Sequence, residues 1–206
     1  MKIEIKKTKK PIEYERAIGF LEQRIDKIHK NKEKELIWIL NHPSIYTAGT
    51  SYRENEILDK SINLFKTNRG GKITYHGPGQ LICYLAIDLN KRKKDIRKFI
   101  NIIENSIIKT LKDYNINAYA DRKNIGIWIK QRKKKKKVAA IGIRIKKWIA
   151  YHGFSININT DINKFKKIIP CGINNCALTN LHLIKKQSYK DLSKKLIKNL
   201  INNLKI

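Results

Sequence analysis

Residues 69–80 read Arg69-Gly70-Gly71-Lys72-Ile73-Thr74-Tyr75-His76-Gly77-Pro78-Gly79-Gln80. Backbone without Cβ can approach a ligand closely and can take positive φ, and an ordinary tight turn has no need of Arg, Thr, His and Gln together. The spacing is neither G-x-x-x-x-G-K-[ST] nor G-x-G-x-x-G, so this is not a phosphate or dinucleotide loop, and the reacting group must come from elsewhere. The chain has three thiols. Cys83 lies in the apolar run Leu81-Ile82-Cys83-Tyr84-Leu85, as a buried structural cysteine does. Cys176 follows Asn174 and Asn175 in a polar loop with no evident base. Cys171 stands between Pro170 and Gly172, a bend that presents its side chain, and is the best placed of the three, with Cys176 left open. Neither a second cysteine pair nor an H-x₃₋₅-H follows at zinc spacing, and His29, His42, His76, His152 and His182 are not expected to cluster, so no metal site is expected. A serine hydrolase would need a G-x-S-x-G elbow, and none occurs.

The elements that must position these groups follow from periodicity. Residues 1–7 alternate as a half-exposed strand, and from Pro11 the positions Tyr14, Ala17, Ile18, Leu21, Ile25 and Ile28 fall at helical spacing. Residues 36–40 and 81–89 read as apolar strands on either side of an irregular stretch, 49–69. Behind Asp95, Ile96, Phe99, Ile100, Ile103, Ile107 and Leu111 predict a helix. Three strand-like runs come next, at 125–129, 138–145 and 148–159, the last two joined by Lys146-Lys147. Ser188 and Asp191 open a final helix, 189–204, striped by Leu192, Leu196, Leu200 and Leu204. The pattern predicts a single α+β domain over 1–206 with helices over a mixed sheet. The lysine-rich segment Lys130 to Lys137 reads as a solvated hairpin loop. Its last residue enters a strand in which alternation puts Lys137, Ala139 and Ile141 on one side and Val138, Ala140 and Gly142 on the other.

The chain of 206 residues carries 46 basic against 17 acidic side chains, a formal net charge of +29. Such a balance is the usual footprint of a nucleic-acid binder. Here, however, 37 Lys, 38 Ile and 20 Asn make up 95 of the 206 residues, with only 9 Arg, and the lysines spread over the whole length. That is the mark of A/T-rich codon usage more than of a selected binding face, so neither a nucleic-acid nor a membrane partner is expected. No run approaches the roughly 18 apolar residues of a membrane span, and no apolar core follows the basic start MKIEIKKTKK as in a secretory signal. A reducing, cytoplasmic setting is the expectation.

Four ordered segments carry a family resemblance. R-G-G-x-x-T-Y-H-x-P-G-Q resembles the signature of the lipoyl(octanoyl) transferases. Upstream, His42-Pro43-Ser44-Ile45-Tyr46-Thr47-Ala48-Gly49 is similar to that family's H-P-x-[VI]-[FY]-T-x-G. Downstream come Lys137-Val138-Ala139-Ala140-Ile141-Gly142-Ile143-Arg144, then Tyr151-His152-Gly153-Phe154-Ser155-Ile156-Asn157-Ile158-Asn159, then Pro170-Cys171-Gly172-Ile173, in the family's order. The likeness spans roughly residues 36–176. Asn41 departs from the acidic residue common before His-Pro, and the segment 130–137 is longer than usual, so Lys137 is matched through the A-A-I-G-I-R that follows it.

The resemblance implies a catalytic domain of the biotin/lipoate protein ligase type. It also implies an acyltransferase that moves an octanoyl group from octanoyl-acyl carrier protein to a lysine ε-amine, the first step of endogenous protein lipoylation. The acceptors would be lipoyl domains of 2-oxoacid dehydrogenase complexes and the glycine cleavage H protein. By motif matching the nucleophile falls on Cys171 and the lysine that lowers its pKa and moves protons on Lys137, with no cofactor and no metal. The substrate tunnel would be lined by Arg69, Gly70, Gly71, Lys72, Ile73, Thr74, Tyr75 and His76, by Ala140, Ile141 and Gly142, and by Gly153, Phe154 and Ser155. His76 and His152 would shape the pocket; His29 and His182 would have no catalytic work. The chemistry is consistent with this, since a thiolate both accepts and releases an acyl group more readily than an alkoxide. Two rival readings are an ATP-dependent lipoate or biotin ligase of the same fold, which needs no nucleophilic cysteine, and a basic nucleic-acid-binding module.

Overall fold

In the computed structural model, which describes residues 3–131, 134–170 and 177–205, the alternation at the start of the chain becomes strand β1 (Ile3–Lys7) and the 3.6-residue stripe becomes helix α1 (Tyr14–His29). Helix α1 returns the chain to β2 (Glu35–Leu40), parallel to β1. A small sheet follows, of β3 (Ile45–Ala48), β4 (Leu64–Lys66) and β5 (Ile73–His76), in the order β4-β3-β5. The stretch 49–69, expected to be irregular, thus contains a strand and a short 3-10 turn (Glu54–Glu56). Strand β6 (Gln80–Asp88) returns to the main sheet, and helix α2 (Ile96–Lys112) begins where Asp95 accepts a hydrogen bond from the Lys98 amide at 2.9 Å.

The chain then forms β7 (Ala118–Ala120), β8 (Ile127–Gln131), β9 (Lys134–Lys146), β10 (Ile149–Asn157), the single-turn α3 (Leu181–Ile184) and α4 (Leu192–Leu204). The seven-stranded main sheet runs β1-β2-β6-β10-β9-β8-β7. Its centre, β6 and β10, is buried over the whole length of both strands. Helix α1 covers one face, packing Tyr14, Leu21 and Ile25 on Trp38, Tyr84 and Tyr151. Helices α2 and α4 cover the other, where Phe99, Ile103, Ile107 and Leu111 meet Leu192, Leu196 and Leu200 over Cys83, Leu85 and Phe154. Each such side chain contributes about 1.5–3 kcal/mol of burial.

Two features of β9 decide where a site can form. First, the lysine-rich segment is not a solvated loop: Lys130 lies opposite Lys135 and Gln131 opposite Lys134 in an antiparallel ladder, and Lys137 is 2 % exposed. Period-2 reasoning failed there because lysine is a weak strand signal, and the pairing is imposed by the apolar halves of both strands. Second, Trp128 pairs with Lys137 while the adjacent Ile127 pairs with Ala139, so Val138 is an extra residue and the ladder bulges. The bulge breaks the expected alternation. Beyond the Ile127–Ala139 pair, β9 has no strand on its outer side among the described residues.

Candidate active site

A cavity of about 520 Å³ lies against that open stretch of β9, between the main sheet and the loop leading into β5, within the range of about 300–1,000 Å³ usual for small-molecule sites. Its floor is made of small residues on paired strands, Ala140 opposite Ser155 and Gly142 opposite Gly153. The Arg69-Gly70-Gly71 loop closes down on the edge of β9. A Cβ on Gly70 would stand 2.5 Å from the Ile143 carbonyl oxygen, which is why glycine is needed there.

Arg69 holds this loop in shape. Its Nη2 donates to the Thr47 carbonyl at 2.8 Å, to Thr47 Oγ1 at 2.9 Å and to the Lys72 carbonyl at 2.7 Å, and Nη1 donates to the Gly70 carbonyl at 3.0 Å. The guanidinium therefore buckles β3 to the glycine-rich segment beside the cavity.

Three of the five histidines, separate in sequence, come together at the cavity, which His76 and His152 border, correcting the expectation that the histidines do not cluster. The ring of His76 lies 5.9 Å from that of His42 and 6.0 Å from Tyr14, and Tyr84 lies 5.6 Å from His42 and 6.5 Å from His152. Hydrogen bonds fix their tautomers. The Ile12 carbonyl can only accept, so His42 Nδ1 donates to it at 2.6 Å and Nε2 accepts from the Tyr84 hydroxyl at 2.8 Å. The Gln80 amide nitrogen donates to Asn157 Oδ1, leaving Gln80 Oε1 to accept from His76 Nδ1 at 2.7 Å. Likewise the Asn68 amide nitrogen donates to Glu22, so Asn68 Oδ1 accepts from His152 Nε2 at 2.7 Å. All three rings are neutral at pH 7: burial lowers the pKa of His42, and burial with the Arg69 charge nearby brings His76 and His152 down to about 3. His152 sits in the middle of β10 with φ +62, a left-handed conformation rare outside glycine, and its buried Nδ1 has no hydrogen-bond partner among the described residues.

Lys137 stands where the cavity meets a second, small one that Pro170 and Leu178 also line. Its amide donates to the Ala177 carbonyl at 2.9 Å and its carbonyl accepts from the Thr179 amide at 3.0 Å, so the segment after residue 176 is clamped to it. Nζ donates to the Ile125 carbonyl at 3.1 Å and lies 4.7 Å from the centre of the Trp128 ring, within cation–π range. That ring is itself fixed, because Trp128 Nε1 donates to the Asn124 carbonyl at 2.8 Å. Gly126 completes the arrangement with φ +133, and burial raises the pKa of the nearby Glu104 carboxyl, an effect the Gly126 backbone amide opposes.

All the residues expected to line a tunnel do border the cavity except Tyr75. Alternation along β5 turns it away from Thr74 and His76: its ring packs edge-on against Phe165 at 5.5 Å and its hydroxyl shares a hydrogen bond with Ser44. Cys171, Gly172 and Cys176 lie outside the described residues. Cys83 is buried, and burial drives its thiol far above the ordinary range, which suits a structural cysteine. His29 is exposed, and His182 packs against Tyr189. Sequence reasoning missed Tyr14, Tyr84, Trp128 and Gly126. The first three read as core aromatics, and only the glycine in Asn124-Ile125-Gly126 offered a signal. Among the described residues no group of three His, Cys, Asp or Glu side chains could hold a metal, and no helix is long and apolar enough to cross a membrane.

The profile of the lipoyl protein ligase A/B catalytic domain matches residues 13–201. An octanoyltransferase of Ehrlichia chaffeensis is 44% identical over 172 residues, covering 82% of this chain and 80% of its own. One from the Wolbachia of Brugia malayi is 40% identical over 193 residues, covering 87% and 94%. Among solved structures, the bipartite lipoate protein ligase of Thermoplasma acidophilum superposes with a TM-score of 0.73 at 14% identity, over 100% of this chain and 85% of that one. Lipoate-protein ligase A bound with ATP gives a TM-score of 0.72 at 15% identity, over 100% and 87%. At such identities the structural likeness speaks for the fold alone.

Proposed function

The chain belongs to the lipoyl protein ligase A/B catalytic-domain family and is an octanoyltransferase of protein lipoylation, and on that premise we propose that it works through a Cys171 thioester served by Lys137. The donor is octanoyl-acyl carrier protein, the acceptors are lysines of lipoyl domains of 2-oxoacid dehydrogenase complexes and of the glycine cleavage H protein, and the setting is the cytoplasm. The observation that carries the reading is the place of Lys137. It is buried at the junction of the large cavity with the small one lined by Pro170, the residue bonded to Cys171, and by Leu178.

In the first half-reaction the Cys171 thiolate attacks the octanoyl thioester carbonyl. A new C–S bond forms, the donor's C–S bond breaks, and the departing thiolate takes a proton from the Lys137 ammonium. In the second, the acceptor amine attacks the acyl-enzyme, its proton passes to Lys137, and Cys171 leaves as thiolate, restoring the starting state. An ammonium beside the sulfur favours the thiolate, since a free cysteine with a pKa near 8.5 is only a few per cent ionised at pH 7. The carbonyl of Ile125 and the face of Trp128 are complementary to an ammonium and aim it. The neutral histidines and the small residues of the floor add no charge of their own where the acyl chain would lie.

The test is the intact mass after incubation with octanoyl-acyl carrier protein. One hydroxylamine-labile octanoyl group is expected, absent from Cys171→Ala. Label that survives in Cys171→Ala and vanishes in Cys176→Ala overturns the choice of thiol, and turnover of free octanoate that requires ATP overturns the transferase reading.

A further inference from the structure

The lysine ladder at the end of β8 and β9 is not used by the chemistry above. Lys130 faces Lys135 across the two strands, alternation turns Lys134 and Lys136 to the other face of the ribbon, and like charges directly opposite in a ladder are destabilising. A solvated loop would let Lys130 and Lys135 part, whereas paired strands hold them together. Lys135 forms an ion pair with Asp121 at 2.9 Å, and among the described residues neither Lys130 nor Lys134 forms one. The ladder also has a fixed relation to the site, because β9 runs from Lys134 to the buried Lys137 in three residues, about 10 Å.

We propose that this paired, cationic end of β8 and β9 is the docking surface for the acidic protein that carries the octanoyl donor, delivering its arm to the cavity that Lys137 lines. The proposal rests on the transferase reading above and adds the surface that reads the carrier. It differs from steering by net charge, because it locates the effect. Charge held on rigid strands a few residues from the cavity concentrates its field there, and steering of this kind raises association rates by about 10- to 1,000-fold at low salt.

The experiment compares the wild type, Lys130→Glu/Lys134→Glu, and Lys194→Glu/Lys198→Glu on the exposed side of α4, two variants with the same change in net charge. Single-turnover acylation is measured with octanoyl-acyl carrier protein and with octanoyl-pantetheine. Lys130→Glu sits opposite Lys135, so it replaces a repulsion by an attraction and the strands remain paired. The expected result is a tenfold or greater fall in kcat/KM with the carrier for Lys130→Glu/Lys134→Glu, shrinking to under twofold at 0.5 M salt. With octanoyl-pantetheine that variant matches the wild type within twofold, and Lys194→Glu/Lys198→Glu acts as wild type with both donors. An equal fall in the α4 variant would show that only net charge matters. A defect confined to transfer from pre-acylated enzyme to a lipoyl domain would assign the surface to the acceptor. Either outcome overturns the proposal, as does an unchanged rate with the carrier. A wild type inactive with both donors would instead overturn the transferase reading.

Discussion

Gly126→Ala tests whether Lys137 is aimed by the backbone beneath it. With φ +133, Gly126 occupies a conformation that L side chains avoid, and its added Cβ would stand 2.8 Å from the Ala139 carbonyl oxygen and 3.2 Å from Lys137 Cε. The lysine arm can give way. The Ala139 carbonyl cannot without disturbing the pairing of Ile127 with Ala139, so the strain relaxes through the 124–126 backbone and carries the Ile125 carbonyl off Nζ. Forcing a residue into such a region costs about 1–3 kcal/mol, which for a chain of this length lowers Tm by about 2–12 °C. A hydrogen bond to a charged group is worth about 1.5–3 kcal/mol, so kcat should fall by about 10- to 150-fold while KM for the donor changes little. Thermal melts and single-turnover acylation followed by intact mass measure both. If Tm falls but kcat stays within twofold of wild type, Lys137 does not depend on the Ile125 carbonyl; if Tm is unmoved, the strain argument is wrong.

Trp128→Phe should keep most turnover and Trp128→Leu should lose about 2- to 30-fold in kcat, in line with cation–π energies of about 0.5–2 kcal/mol; equal activity in all three proteins would remove the ring from the account. Folded His76 and His152 stay neutral down to about pH 3, whereas unfolded histidine protonates near 6.5. The unfolded state therefore binds more protons between those values, and stability should decline as pH drops from about 6.5, by up to about 1.4 kcal/mol per pH unit for each ring. Urea midpoints flat from pH 7 to 4.5 would contradict this. Gly153→Ala would press a Cβ into the Cys83 carbonyl of the paired strand, and soluble expression with a wild-type Tm would show that β10 can shift away. Lys137→Ala should abolish transfer and raise the pH at which Cys171 is alkylated, and Lys137→Arg should keep that alkylation profile yet fail in turnover; near-normal turnover of Lys137→Ala would end the dyad.

The sequence was most legible where one face of an element meets a core. The stripes of α1 and α2 and the apolar runs of β2, β6 and β10 stand within a residue or two of expectation, and the stripe of α4 holds although the helix begins three residues after 189, because a slip would expose the side chains that stabilise them. The glycine-rich motif was legible as a close approach, since Gly70 has no substitute beside the Ile143 carbonyl. Long-range convergence was not. His42, His76 and His152 meet through three different strands and loops, and no local pattern encodes that. The bulge at Val138 was invisible for a related reason: it depends on the register against Trp128, which alternation within one strand cannot supply.

The outer side of β9 beyond Ala139 has a further consequence. Among the described residues no strand pairs with it there, and a strand edge without a neighbour presents unpaired backbone groups, the usual starting point for pairing between chains. Here it also carries Ile141, Ile143 and Ile145, a β-branched alternation suited to self-association. What stands over it is the glycine loop that Arg69 buckles to Thr47, with Arg144 and Lys146 as interspersed charges. The open edge beside the cavity would equally admit the β9 of a second molecule. Loss of the Arg69 buckle should therefore show first as concentration-dependent aggregation, before any loss of helix content.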